Sequence, residues 1–223
     1  MTPEVLAEIS AARSQRLAVA LITDVKTGAQ QIVHRVDAPG HALNVDLEKG
    51  FRFDRSAMVG DQFVAIYNPP LRLVIIGAVL IAQSVIPIAQ ACGFDVTVVD
   101  PRGAFATGAR FPDVSLHADW PQDVLPKLGL DARTGFMALT HDPKIDDPAL
   151  DLALKSQAFY IGALGSKKTQ SSRRERLLGL GFDDTTLARV RGPIGLNIGA
   201  VGAAEIAVSI MAEMIKALRL VFE

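Results

Sequence analysis

Cysteine is almost missing from this sequence. One occurs in 223 residues, Cys92, which excludes an intrachain disulfide framework and a cysteine-based zinc site and fits a reducing cytoplasm. An excess of either charge is missing too. The 23 Lys and Arg stand against 24 Asp and Glu, a formal net charge of −1, so no global basic field is available to hold nucleic acid and any anion site must be local. There is no nucleophile elbow, no HExxH, no Walker lysine motif and no cysteine cluster, which leaves hydrolase, protease and zinc-enzyme readings without support. Internal repeats and low-complexity segments are absent as well. The first 16 residues, MTPEVLAEISAARSQR, break up their apolar positions with charge and lack a secretory h-region, so a short amphipathic helix is expected there and no signal peptide.

What is plentiful is apolar side chain, at 49% of residues, enough for one large domain or two small ones. Leu73 to Ala91 carries no charged residue, a length close to that of a membrane span. Ile75-Ile76-Gly77 near its start, Pro87 inside it and the strand-like FDVTVVD after it fit a buried strand and a buried helix better, and no membrane span is expected.

Upstream, residues 17–36 read as two short strands around a Lys-Thr-Gly turn and DQFVAIY at 61–67 as a third, a small β-rich unit. Asn68-Pro69-Pro70 stiffens the chain. This places a small α+β domain over residues 1–68 and a second domain over 71–223. Beyond the border the pattern alternates. LRLVIIG, FDVTVVD, TGFMALT and AFYIGAL read as strands, with an apolar helix running to about Cys92, a helix DPALDLALKS and further helix after the last strand. Such alternation implies right-handed βαβ units and a doubly wound, Rossmann-like α/β domain with a parallel sheet.

Four stretches are candidate ligand sites, each with a plainer structural alternative. In VIIGAVLIAQ, Gly77 stands at the tight turn of a dinucleotide fingerprint and Asp100, at the end of the next strand, stands where an acidic side chain accepts from the ribose. The second and third glycine positions hold Val79 and Ala82, and a branched side chain at the second crowds a pyrophosphate. NAD(P) is therefore the lesser cofactor candidate, and an aliphatic-filled turn is the alternative. In YIGALGSKKT, Gly162 and Gly165 permit a turn, Ser166 caps or binds an anion and Lys167 adds charge at a helix start, a phosphate site or simply a capped helix with a solvated basic turn.

TGFMALT runs into His141 and Asp142 at the strand end where open α/β folds gather ligands, and the histidine is either a ligand or proton-exchange group or structural. The following Asp147-Pro148 reads as N-cap and first helical residue. GPIGLNIGAVGAAEIAVSI, with Gly192, Gly195, Asn197, Gly199 and Gly202, leaves bare backbone before a helix carrying Ile206, Ile210 and Met214 on one face, suited to a ligand or to tight packing. Cys92, on the apolar helix, is expected to be a core thiol.

The segments IIGAVLIAQ, VTVVDPR, ARFPDV, ADWPQD, ALTHDPKIDDPAL, FYIGALGSKKT and GPIGLNIGA, in this order, resemble the XdhC/CoxI family of accessory proteins for molybdenum hydroxylases such as xanthine dehydrogenase and carbon monoxide dehydrogenase. The resemblance covers residues 71 to about 219. It implies a Rossmann-like domain and a cofactor chaperone in place of a catalyst. Such a protein holds the molybdenum cofactor, in its molybdopterin or cytosine dinucleotide form, protects it during sulfuration and assists its insertion into an apo-hydroxylase. The expected pocket, drawn from the strand ends and helix starts above, comprises Gly77, Val79, Asp100, His141, Asp142, Gly162, Gly165, Ser166, Lys167, Gly195 and Asn197. A sulfurase or a full-length paralogue is a further expected partner, and a homodimer is compatible with the apolar last helix.

Three departures bear on this. Leu80 stands where members often have His, Asn197 where they have Asp, and no SGGC-type segment precedes Pro69. The first two alter hydrogen bonding and charge; the third removes a thiol. Two rivals stay open, a nicotinamide-dependent oxidoreductase on the strength of Gly77 with Asp100 and, on Leu80 and Asn197, a protein-docking module whose ligand pocket has decayed.

Overall fold

In a computed structural model that describes residues 2–220, the chain divides into two compact units, one ending at Pro69 and the other starting at Pro70. The first holds α1 (Pro3–Ser14), β1 (Val19–Asp24), β2 (Gln30–His34), a 3-10 turn (Arg35–Gly40), α2 (Asn44–Phe53), β3 (Ala57–Val59) and β4 (Gln62–Tyr67). Its sheet is antiparallel in the order β2-β1-β4-β3. Strand β1 is apolar without alternation because both of its faces are covered. Val19 and Leu21 pack with Ile9 and Ala12 of α1, and Ala20 and Ile22 pack with Leu47 and Phe51 of α2. Asp24 closes the following turn by accepting from the N–H groups of Lys26 and Thr27 at 2.9 and 2.8 Å. Helix α2 and strand β3 are additions to the elements expected from the sequence.

The second unit contains β5 (Leu71–Ile76), α3 (Leu80–Ala91), β6 (Phe94–Val99), β7 (Ser115–His117), α4 (Pro121–Leu128), β8 (Thr134–Ala138), α5 (Pro143–Leu154), β9 (Tyr160–Ala163), α6 (Lys167–Gly179), α7 (Asp184–Leu187), β10 (Val190–Arg191) and α8 (Ala203–Arg219). Its sheet runs β10-β9-β8-β5-β6-β7 with every pair parallel. Taken from the β7 edge and numbered within the unit, the order is 3-2-1-4-5-6, that of the Rossmann fold. The uncharged Leu73–Ala91 stretch is thus β5 and α3, and no helix among the described residues is long and apolar enough to cross a membrane.

Alternation along β5 decides the layers. Leu73 and Ile75 face one core with α3 and α8 (Val85, Ala89, Ile210, Met214), and Val74 and Ile76 face the other with α4 and α5 (Val124, Leu125, Ile145, Leu150). Each fully buried Leu, Ile or Val contributes about 1.5–3 kcal/mol relative to exposure. Because the helices after β5 and β8 lie on opposite faces, the ends of these neighbouring strands form the topological switch point, where open α/β sheets hold their ligand crevice.

Three local expectations need correction. Helix α5 starts five residues earlier than the expected first residue, Pro148. Its N-cap is Asp142, whose side chain accepts from the Lys144 N–H at 2.9 Å, its first residue is Pro143, and Pro148 lies inside the helix. An aspartate followed by proline occurs twice in this stretch, and the earlier pair, four residues after the end of β8, is the one that starts the helix. Cys92 is exposed; it is the C-cap of α3, where the chain turns outward through Gly93. Between FDVTVVD and TGFMALT, where the sequence reading places no helix or strand, the chain forms β7 and α4.

Candidate functional site

The carboxyl ends of β5, β6, β8 and β9 bring most of the sequence-selected residues to one edge of the sheet. At the end of β5, Gly77 has φ +114°, and a Cβ there would lie 2.9 Å from Thr140 Cγ2 and 3.2 Å from its backbone nitrogen. Glycine is required twice over, by conformation and by the close approach of the β8 end. The Gly77 N–H donates to Val99 O at 2.9 Å. Val79 is the N-cap of α3 without a side-chain cap bond, and Leu80, the first helical residue, is 66% exposed.

Asp100 follows β6 and is completely buried. Its Oδ1 accepts from the Arg102 N–H at 3.0 Å and Arg102 Nε at 2.9 Å, and its Oδ2 from the Ala78 N–H at 2.8 Å and Arg102 Nη2 at 2.7 Å. A carboxylate has about four lone-pair sites, and four donors fill them. Burial, the largest influence on this carboxyl, works to raise its pKa. The hydrogen bonds from Arg102 and Ala78 and the charge of Arg102 together outweigh it and hold the pKa below the ordinary aspartate value. Asp100 therefore locks the β5 turn to the loop after β6, and its oxygens are spoken for.

The β8 end has a second buried carboxylate in the same role. Asp146, on the first turn of α5, accepts from Thr140 Oγ1 at 2.7 Å, the Thr140 N–H at 3.3 Å and the His141 N–H at 3.1 Å. Those bonds hold His141 in a left-handed conformation, φ +64°, with its side chain exposed. Asp146 also pairs with Arg173 of α6 at 3.4 Å, each side chain being 3% exposed or less. Burial dominates both ends of this pair, pushing the Asp146 pKa up and the Arg173 pKa down. Arg173 reaches further, to Leu164 O at 3.1 Å and to Gln170 Oε1 at 2.6 Å. Gln170 Nε2 in turn donates to Ala163 O at 2.9 Å.

After β9, Gly165 turns the chain at φ +136° into α6. Ser166 is the N-cap, accepting from the Thr169 N–H at 3.2 Å, and the first helical residue Lys167 is exposed. Gly162 stands apart from this loop. It is buried inside β9, and a Cβ there would lie 2.7 Å from Ile194 Cγ1. Gly195 is held down on α8, its N–H donating at 3.0 Å to Glu213 Oε2, which also accepts from Tyr160 Oη at 2.6 Å. Asn197, two residues on, is exposed. The edge thus gathers Gly77, Val79, Asp100, His141, Asp142, Gly165, Ser166 and Lys167, whereas Gly162 and Gly195 serve packing.

Sequence reasoning gives no role to Arg102, Gln170 or Arg173 and makes Asp146 no more than part of a helix cap. A signal was present for two of them. Asp146 shares a helical stripe with Ala149, Leu150 and Ala153, and Arg173 one with Leu177, all buried, so each charge sits on an apolar face and implies a buried partner.

The strand order, the crevice and the turn at Gly77 define a dinucleotide-fold domain with an altered first turn. The chain belongs to the XdhC family: a family model, the XdhC Rossmann domain, matches residues 73–214. It is 30% identical over 148 residues to the molybdenum cofactor insertion chaperone PaoD of Escherichia coli (strain K12), covering 66% of this chain and 40% of that protein. It is 31% identical over 157 residues to a probable xanthine dehydrogenase subunit of Bacillus subtilis (strain 168), covering 70% of this chain and 46% of that protein. A crystal structure of a xanthine dehydrogenase from Bacillus halodurans matches with a TM-score of 0.68 at 26% identity, over 97% of this chain and 64% of that one. The chain spans less than half of the length of these two curated relatives.

Proposed function

We propose that this protein is an accessory factor for a molybdenum hydroxylase, taking the molybdenum cofactor as cargo at the carboxyl edge of the second unit and delivering it to the apo-enzyme in the cytoplasm. Similarity to a protein named as a molybdenum cofactor insertion chaperone supports the accessory role. The observation that carries the binding reading is the chemistry of the edge. It joins a glycine turn, the uncapped N-terminus of α3, the guanidinium of Arg102 and the Ser166-Lys167 start of α6 at the ends of β5, β6 and β9, on one edge of the sheet. These groups are donors and cations, which suit the phosphorylated tail of a pterin. Among the described residues no three His, Cys, Asp or Glu side chains are arranged to hold a metal ion, and the donor set at the edge fits the organic, anionic part of the cargo.

The nicotinamide-dependent rival needs Asp100 to accept from a ribose diol, and its four lone-pair sites are already filled. The test is binding of released molybdopterin to the purified protein by equilibrium gel filtration. Lys167→Ala is expected to weaken binding by about tenfold, the worth of one charge-assisted contact, without changing the thermal midpoint. Unaltered affinity would remove the α6 start from the site, and no binding by the wild type would remove the cargo reading.

A further inference from the structure

We infer that Arg102, clasped by Asp100, makes this corner of the crevice select a phosphomonoester and reject a bare ribose diol; the inference rests on the ligand lying along the carboxyl edge, as proposed above. In the Rossmann arrangement the acidic residue after the second strand accepts from the ribose hydroxyls, so it must have free lone pairs. Here all four acceptor sites of Asp100 are occupied, three by Arg102 itself and one by the Ala78 N–H. The residue that looks like a ribose acceptor is thus a clasp.

The clasp leaves something to offer. The bonds of Arg102 to Asp100 use its backbone N–H, Nε and Nη2, so that both Nη1 protons and the second Nη2 proton remain for a ligand. Its side chain is 33% exposed, against 0% for Asp100. Two contacts fix its direction. One is the paired bond to Asp100; the other is the ring of Phe105, over which the guanidinium carbon stands at 4.7 Å. Asp100 Oδ2 is shared by Arg102 Nη2 and the Ala78 N–H, so the cation lies within two hydrogen bonds of the β5 turn. Phe105 is itself 45% exposed and has Arg110 on it as well, at 5.9 Å. A planar guanidinium held in place, with unspent donors beside a glycine turn, is arranged for a phosphate oxygen pair.

Two sources supply that chemistry: the phosphomonoester of molybdopterin itself, or the 2′-phosphate of a nucleotide. Isothermal titration of the full chain with three probes separates them: molybdopterin, adenosine 2′,5′-bisphosphate and adenosine 5′-monophosphate. Arg102→Ala is the principal variant. Arg102→Lys, which keeps the charge and loses the paired geometry, is the second should the alanine variant fail to fold.

If the pterin is the source, Arg102→Ala weakens molybdopterin binding by about tenfold or more, and the lysine variant falls between. If a nucleotide is the source, the wild type prefers the bisphosphate to the monophosphate by about tenfold and the alanine variant loses that preference. Molybdopterin bound equally by wild type and both variants, together with no preference between the adenosine probes, overturns the inference while the cargo reading stands. A wild type that binds none of the three overturns both.

Discussion

Replacing Asp146 by Asn tests whether the carboxyl edge is held by buried carboxylates. The substitution is nearly isosteric and keeps one oxygen, which still accepts from Thr140 Oγ1. The other oxygen becomes an NH2 group facing the His141 N–H and Arg173 Nη2, which now donate to it at 3.1 and 3.4 Å. A backbone N–H left without an acceptor costs about 1–3 kcal/mol, and a buried charge left without its partner about 3–5 kcal/mol. Both losses come from the same oxygen and do not add. Arg173 keeps its bonds to Leu164 O and Gln170 Oε1 but loses the carboxylate it contacts, and its buried Nε already lacks a hydrogen-bond partner among the described residues. Against this, burial holds the Asp146 pKa above its ordinary value, so the asparagine is relieved of a charge that is costly where it sits. The expected net loss is about 3 kcal/mol.

Trp120 is the single tryptophan and belongs to the second unit, so its fluorescence during urea unfolding reports that unit alone. The midpoint should fall by about 1–2 M with an unchanged slope. The double variant Asp146→Asn with Arg173→Met, which removes both charges and keeps the oxygen that accepts from Thr140, should recover part of the loss, the His141 N–H staying without its acceptor. A midpoint within about 0.3 M of wild type for Asp146→Asn would refute the reasoning.

Gly162→Ala inserts a methyl group against Ile194 and, at 2.9 Å, Tyr160 Cε1; a loss of about 1–3 kcal/mol is expected in the same assay, and adding Ile194→Ala should cost less than the sum of the two single changes. Asp100 gives a pH signature. Its folded pKa lies below the ordinary value, so its contribution is complete above the unfolded pKa of about 3.9 and is lost as pH falls below it. Stability of the wild type should therefore drop more steeply below about pH 4 than that of Asp100→Asn, and parallel profiles would deny Asp100 this role.

The architecture was legible because β5 to α3 is a long apolar run whose period changes from strand to helix at Gly77, and because the apolar strand β8 is followed by a helical pattern, whose start the second Asp-Pro pair obscures. The elements that escaped are those with little pattern to read. Strand β7 has three residues, α4 begins at Pro121 and contains Pro126, and α2 buries only Leu47, Gly50 and Phe51 among polar neighbours. For the site, glycines and a strand-end aspartate were visible as types, and their partners were not. Whether Asp100 is free or clasped depends on Arg102 two residues on, and whether Asp146 caps a helix or binds Arg173 depends on a residue 27 positions away. Gly162 falls inside the expected strand AFYIGAL and Gly165 just beyond it; what the sequence does not show is Ile194, which packs where a Cβ of Gly162 would stand.

The most direct measurement is to purify the protein from a host that makes molybdenum cofactor, release and oxidise whatever is bound, and quantify pterin fluorescence together with nucleotide. Pterin near one per chain is the expected result, with molybdopterin phosphate and no excess adenine nucleotide. Protein that emerges empty and also fails to take up added molybdopterin would contradict a cargo site at this edge.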